Sequence, residues 1–181
     1  MDKLPVDYAT CECLRLGADE LVVLMPSAQS GGALFAIEIR MPPGGGPPVM
    51  HRHEPSEVYF VQRGEFTIYT GELLPGGDWT DVQRVTAAAG DVVPLAGNTP
   101  HTIRNESDTD AVAFVVHAPG TAFEGFVRAG AALAADGEPS MEQVLDIAAR
   151  NGIELLGPIP TTVPAGHAAS AAGLAGGGGL R

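Results

Sequence analysis

Short apolar or alternating runs, separated by Gly, Pro, Asn and Asp, follow one another along this chain from Leu21 onward. This rhythm is typical of an all-β domain, because helices need longer runs with a period of 3.6 residues. A chain of 181 residues is also within the usual size of one compact domain. The predicted strands are Leu21–Met25, Ala33–Met41, Val58–Gln62, Phe66–Thr70, Val82–Thr86, Asp91–Leu95, His101–Asn105 and Ala111–His117.

The segments around these strands complete the predicted organisation. Residues 41–48 contain four prolines and three glycines, so they are expected to form a stiff loop. We expect an N-terminal arm over residues 1–20, a β domain over 21–118 and a helical extension over 119–160. Residues 161–181 are rich in Ala and Gly and are predicted to be disordered.

Two capping-box patterns predict the helices of the extension. Thr121 with Glu124 marks the start of a first helix that closes near Gly130, and Ser140 with Gln143 marks the start of a second. In the second helix, Met141, Val144, Leu145 and Ala148 keep helical spacing, so this helix is expected to pack its apolar stripe on the β domain.

The charge of the chain restricts its partners. The net charge is −12, and the ten Lys and Arg residues form no basic run, which argues against nucleic acid or an anionic membrane as a partner. A small-molecule substrate fits better. No apolar run is long enough to span a bilayer, so we expect a cytoplasmic protein. Cys11 and Cys13 are too close for an unstrained disulfide and are expected to be free thiols, whose role stays open.

One pair of histidines has the spacing of metal ligands on a strand. Side chains two residues apart on an extended strand point the same way, about 7 Å apart, so His51 and His53 can converge on one ion. Glu57 lies four residues further along and returns to the same face if the extended geometry persists. The turn-rich segment 90–105 supplies His101 as a third imidazole. The alternative is that these histidines are solvated loop residues.

This donor set indicates the kind of metal. Three imidazoles and one carboxylate suit one divalent transition metal, namely Fe, Ni, Mn, Cu or Zn, rather than Ca or Mg. Four protein ligands on an octahedral ion leave open positions for water, dioxygen or a chelating substrate. Glu57 has two possible roles, since it can ligate the ion or act as the catalytic base that takes a proton from bound substrate.

The two segments resemble the two motifs of the cupin superfamily. The first segment matches at every position, with Gly45, His51, His53, Glu57 and Gly64. The second keeps Gly90, Asp91, His101 and Asn105, with Ala96 and Asn98 where the family pattern has Pro and Gly. The resemblance implies a double-stranded β-helix, or jelly roll, with the metal inside the barrel. The stretch GTAFEGF at the start of the extension is similar to small bacterial single-domain cupins related to flavonol (quercetin) dioxygenases.

Alternation along the strands predicts a pocket and an interface. Tyr59 shares the inward face with Glu57, and Phe35, Ile37, Phe66 and Ile68 are further candidates for the substrate pocket, with plain core packing as the alternative. Val58 and Phe60 are predicted to face outward as an apolar patch, which favours a homodimer. His117 is expected to be a core or rim histidine rather than a fifth ligand.

Three functions fit this reading. The first is a metal-dependent dioxygenase acting on a chelating aromatic or enolic molecule of the flavonol type. The second is a non-redox cyclase, isomerase or decarboxylase that uses the metal as a Lewis acid on a polyketide-like or keto acid substrate. The third is a ligand-binding cupin without turnover, since fold alone does not fix function.

Overall fold

The structure is a computed structural model, which describes residues 4–135, 137 and 139–160. Within these residues the chain forms eleven strands, two α-helices and two short 3-10 turns. The strands are β1 Cys13–Leu16, β2 Asp19–Met25, β3 Phe35–Met41, β4 Val49–His53, β5 Ser56–Arg63, β6 Glu65–Leu73, β7 Trp79–Ala88, β8 Val92–Leu95, β9 His101–Arg104, β10 Ala111–Ala118 and β11 Ile153–Pro158. The helices are α1 Thr121–Ala135 and α2 Met141–Arg150. The tail predicted to be disordered, residues 161–181, lies outside the described residues.

Two antiparallel sheets form the body of the molecule. A six-stranded sheet has the order β1-β2-β3-β10-β5-β8, and a five-stranded sheet has the order β11-β4-β9-β6-β7. Strands far apart in the sequence are neighbours in each sheet, as in a double-stranded β-helix, so the predicted fold class is confirmed. The core between the sheets is built from inward side chains such as Phe35, Ile37, Val61, Phe66 and Val115.

All eight predicted strands are present, and the structure adds three more. Strand β1 lies in the segment predicted as an N-terminal arm, where it pairs with β2. Strand β4 carries His51 and His53. Strand β11 lies in the extension that was predicted to contain only helices, and it pairs antiparallel with β4. The extension is therefore part of the sheet that carries the two histidines.

The first helix differs in detail from its prediction. Thr121 is the first helical residue of α1, and Glu124 does not close a capping box, because its carboxylate accepts from the backbone N–H of Ser27 at 2.8 Å and from Arg128 at 2.8 Å. The helix continues past Gly130, where the missing side chain allows close packing against Leu16. The capping box of Ser140 and Gln143 at α2 is present as predicted.

No helix among the described residues is both long and apolar enough to cross a bilayer. Cys11 and Cys13 are free, as expected from their spacing.

The outer face of the six-stranded sheet carries the predicted apolar patch. Burial alternates along β5, so that Tyr59 and Val61 are buried while Val58 and Phe60 are 42% and 43% exposed. Val92 of the neighbouring strand β8 pairs with Phe60 and is 58% exposed. Phe114 and Val116 of β10 flank the same positions and are half-buried. We call these five residues the outer apolar patch.

Candidate metal centre

Two neighbouring strands bring three histidines together. His51 and His53 lie on β4, and His101 begins β9, where it pairs directly with His51. One ring nitrogen from each histidine lies within 4.8 Å of the others. His53 and His101 are buried, and His51 is half-buried. The structure therefore assembles the three predicted imidazoles in a cluster that could hold a metal ion.

Backbone carbonyls fix the orientation of two of these rings. Nδ1 of His53 lies 2.9 Å from the carbonyl oxygen of Pro55, and Nδ1 of His101 lies 2.7 Å from that of Thr99. A carbonyl accepts only, so each Nδ1 carries the proton and donates it. The lone pair of each ring is therefore on Nε2, and such carbonyl contacts are the usual way in which proteins orient metal-binding histidines.

Glu57 joins the cluster from the opposite sheet. It lies on β5 and is 2% exposed. Its Oε1 lies 2.6 Å from Nε2 of His101 and 3.9 Å from Nε2 of His53. Oε1 of Glu57 and Nε2 of His53 are both buried, and neither atom has a hydrogen-bond partner with acceptable geometry. Buried polar atoms rarely stay without partners, so their convergence is what a shared ion would satisfy.

The electrostatics of the cluster favour the metal-binding protonation states. Burial, followed by the repulsion of His101, lowers the pKa of His51 to about 3, and burial also lowers the pKa of His53. Burial would raise the pKa of Glu57, but the interactions with His101 and His117 outweigh it and hold that pKa well below its usual range. His51 and His53 are therefore neutral at pH 7, and Glu57 is a carboxylate.

His101 holds a proton more firmly than an isolated histidine. Burial lowers its pKa, but the contact with Glu57 opposes burial and the net pKa is raised. A metal that binds at Nε2 of His101 must displace this proton, so binding is expected to release protons.

The turn before His101 is built around Asn98. Asn98 has a φ of 63°, a left-handed conformation that Asn tolerates better than most residues, and its N–H donates to the carbonyl of His53 at 2.7 Å. Asn98 thus serves the position where the family pattern has glycine, and its hydrogen bond ties the turn to the end of β4.

A cavity of about 410 Å³ opens beside the histidines. This volume is in the range of pockets for small organic molecules. Its walls are mainly apolar, and none of the lining residues in the described part of the chain is Lys or Arg. Polar side chains come only from the cluster and from Asp19 and Tyr59. Apolar side chains that line the cavity include Leu21, Ile39, Ile103, Phe123, Phe126, Val144, Ile153 and Leu155.

The predicted pocket residues are only partly at this cavity. Tyr59 lines it, as expected from its position beside Glu57. Phe35, Ile37, Phe66 and Ile68 do not line it and belong to the hydrophobic core. The alternation of apolar residues along their strands correctly predicts that the four side chains point into the barrel. They lie in the part of the barrel interior that packed side chains fill, and the cavity lies elsewhere in it.

Three residues outside the predicted site lie beside the cluster or line its cavity. Phe123 of α1 lines the cavity and stacks on the ring of His117, with ring centroids 3.8 Å apart. His117 is fully buried, and its Nε2 lies 2.8 Å from Oε2 of Glu57. Asp19 also lines the cavity, as do Gly44, Gly45 and Gly46 of the loop before β4. The sequence predicts His117 as a core or rim histidine, and the pairing of β10 with β5 places it opposite Glu57.

Asp19 is a buried carboxylate with unusual electrostatics. It is 7% exposed, and both of its oxygens accept from the N–H of Gly46, at 3.2 and 3.1 Å. Burial raises its pKa to about 6 despite this hydrogen bond and the nearby charge of Arg104. Between about pH 4 and pH 6 the folded state therefore holds a proton that the unfolded state has lost, so stability falls as pH rises through that window.

The Asp19→Asn variant is expected to be more stable than the natural protein at pH 7.5. Asn keeps an acceptor for Gly46 but carries no charge, and a shift of about two pKa units corresponds to at most about 3 kcal/mol. The gain should nearly vanish near pH 3, where the carboxyl is mostly protonated in both states. Urea unfolding at the two pH values measures it, with Asp110→Asn at a more exposed carboxylate as the control. Equal or lower stability of Asp19→Asn at pH 7.5 would contradict the expectation.

Comparisons with known proteins agree with the fold. Residues 37–117 match the family model described as Cupin domain. A predicted oxalate decarboxylase from Thermotoga maritima superposes with a TM-score of 0.52 and 20% identity, covering 64% of this chain and 98% of that one. The polyketide cyclase RemF from Streptomyces resistomycificus gives a TM-score of 0.50 and 16% identity, covering 66% and 80%. A comparison with curated proteins gave no match.

At these identities the two structures show the fold alone. The match to the cupin model includes His51, His53, Glu57 and His101, and it ends at His117. Residues 37–117 are therefore similar to a cupin domain, and the two-sheet barrel agrees with this similarity. The three clustered histidines are consistent with a metal site.

Proposed function

We propose that this protein is a metal-dependent dioxygenase of a chelating aromatic or enolic small molecule, of the flavonol type. The observation that carries the proposal is the convergence of three imidazoles and the Glu57 carboxylate at one end of an apolar cavity. His51, His53, His101 and Glu57 would hold one Fe, Ni, Mn, Cu or Zn ion. A bound metal of this kind supplies a Lewis acid for an enolic hydroxyl and, when redox-active, a path for electrons to dioxygen.

The protein's own residues prepare the site for such a substrate. Glu57 is ionised at neutral pH, so its carboxylate can accept the proton of a substrate hydroxyl bound beside it. Burial and the negative charge of Glu57 raise the pKa of Tyr59 well above its usual value, so Tyr59 remains a neutral hydrogen-bond donor. The apolar walls exclude water and accommodate an aromatic body.

The lining also argues against anionic substrates such as sugar phosphates. Arg52 is paired with Glu154 at 2.7 Å, Arg63 faces Asp110, and Arg104 donates to the carbonyl of Gly44. None of the three lines the cavity. A phosphate would therefore enter an acidic pocket without a basic partner, which costs several kcal/mol.

Oxygen uptake tests the proposal. Protein loaded separately with Fe, Ni, Mn or Cu is mixed with quercetin, while an oxygen electrode records dioxygen and absorbance records the flavonol. We expect stoichiometric loss of both with at least one metal, and none with the His53→Ala variant. No oxygen uptake with any of these metals, tested with flavonols and with simple enediols, would count heavily against a dioxygenase.

A non-redox function is the second candidate. The same donors can serve a cyclase, isomerase or decarboxylase, and an apolar cavity suits a polyketide-like substrate as well as a flavonol. Two proteins that share the fold are described as a polyketide cyclase and a predicted oxalate decarboxylase. Zinc as the metal that purifies with the protein would favour this candidate, and absence of metal would favour a non-catalytic binding cupin.

We also propose that the protein is a homodimer through the outer apolar patch. An apolar face of this kind is unfavourable in water and is typical of an interface between identical subunits. Sedimentation should give twice the mass of one chain, and Phe60→Glu should shift it to one chain. Val85→Glu, an equally exposed site on the other sheet, is the control and should leave the mass unchanged. A monomer mass for the natural protein would contradict the proposal.

A further inference from the structure

His117 is the most unusual side chain outside the proposed ligand set. It is completely buried on β10, yet neither of its ring nitrogens has a hydrogen-bond partner with acceptable geometry. An unsatisfied buried imidazole costs on the order of 1 to 3 kcal/mol, whereas an apolar side chain in its place would cost nothing of this kind. Packing alone therefore does not explain a histidine at this position.

The second carboxylate oxygen of Glu57 lies beside His117. His117 and Glu57 are directly paired across β10 and β5, and Nε2 of His117 lies 2.8 Å from Oε2 of Glu57. This distance is short enough for a hydrogen bond, and only the angle between the ring N–H and Oε2 is unfavourable. Rotation about the terminal torsion of histidine is soft, so a small rotation aligns an N–H with Oε2.

The two oxygens of Glu57 thus face different groups. Oε1 lies 2.6 Å from Nε2 of His101 in the three-histidine cluster, and Oε2 lies 2.8 Å from Nε2 of His117. Phe123 stacks on His117 with an interplanar angle of 11°, which keeps the imidazole packed beside Oε2. The carboxylate is therefore held between the cluster and a buried imidazole.

We propose that His117 is a positioning residue that binds Oε2 of Glu57 and so presents Oε1 alone to the metal. The inference rests on the proposed metal centre. His117 acts through Glu57 and needs no contact with the metal or with substrate. Partners that hold a metal ligand in this way typically contribute 10- to 100-fold to metal affinity.

Cobalt binding tests this role without any substrate. Chelator-treated protein is titrated with Co²⁺, and both the affinity and the visible d–d absorption are recorded. In His117→Phe the ring can still stack on Phe123 but has no donor, so we expect a loss of affinity of about 10- to 100-fold and an altered spectrum, because Oε2 becomes free to bind the ion. His117→Gln places an amide donor at a similar reach and should recover most of the affinity.

Two further variants separate positioning from general stability. Val115→Ala removes an equally buried side chain on the same strand and should lower thermal stability while leaving Co²⁺ affinity and spectrum unchanged. In a Glu57→Gln background, His117→Phe should have a much smaller effect, since its target is altered. If His117→Phe binds Co²⁺ like the natural protein, with the same spectrum, the role of His117 is wrong while the metal centre stands. If the natural protein binds no Co²⁺, both the metal centre and the role of His117 are wrong.

Discussion

The His53→Ala variant is expected to purify with almost no bound metal, whereas the natural protein carries close to one ion per chain. His53 is buried, its Nε2 has no other partner, and its removal deletes a ligand from the centre of the cluster. The loss of affinity should exceed about 100-fold, since even residues that only orient ligands contribute 10- to 100-fold. Elemental analysis of both proteins, purified without added metal, measures the effect.

Arg52→Ala is the matched control for this experiment. Arg52 neighbours His53 on β4, but its side chain is 40% exposed and pairs with Glu154 on the surface. Its removal should cost less than about 1 kcal/mol and leave the metal content unchanged. Equal metal in His53→Ala and the natural protein would place the metal elsewhere, and no metal in either would remove the basis for metal chemistry.

The Gly46→Ala variant is expected to lose much of the stability of the fold. Gly46 has a φ of 88°, and a Cβ there would lie 2.9 Å from Cα of Arg104 and closer still to the carbonyl oxygen of Ile103. Both neighbours are backbone atoms of β9, the strand that carries His101, so they cannot rotate away. Strain at a left-handed position plus this clash should cost on the order of 3 kcal/mol or more in urea unfolding.

Gly44 provides a control in the same loop. It also has a left-handed φ, of 80°, but a Cβ there would meet nothing within 4 Å. Gly44→Ala should therefore cost only about 1 kcal/mol, which is the conformational penalty alone. Similar losses for the two variants would show that close approach of the loop to β9 contributes little.

Alternation predicted the barrel because it reports directly which side of a strand is buried. It failed for the three added strands for identifiable reasons. In β4 two histidines replace the expected apolar residues, and in β1 only four residues are extended. Strand β11 closely follows helix α2 and ends in Gly-Pro, so the sequence does not distinguish it from the rest of the helical extension.

The ligands were more predictable than the pocket. Spacing on one strand is a local property, so His51 and His53 could be selected from nearby residues. Glu57 reaches the same cluster by another route than the sequence predicts, because the extended geometry does not persist: β4 ends at His53, and Glu57 lies on β5 in the opposite sheet. The cavity walls, by contrast, come from segments that are remote in the chain, such as Asp19 and Ile153. A period of two residues also cannot show where along a strand packed core ends and open cavity begins. Alternation alone therefore fits Phe66 and Ile68 to the pocket as well as to the core, where the structure has them.

The pairing of β11 with β4 changes which piece of this chain can be studied alone. A fragment that ends with the barrel at residue 118 would leave β4 as an edge strand, with unpaired backbone groups beside His51 and His53. It would also lose one wall of the cavity, formed by Val144, Ile153 and Leu155. Exposed edges promote association between chains, so such a fragment should aggregate. The C-terminal segment thus protects the strand on which the metal chemistry would depend.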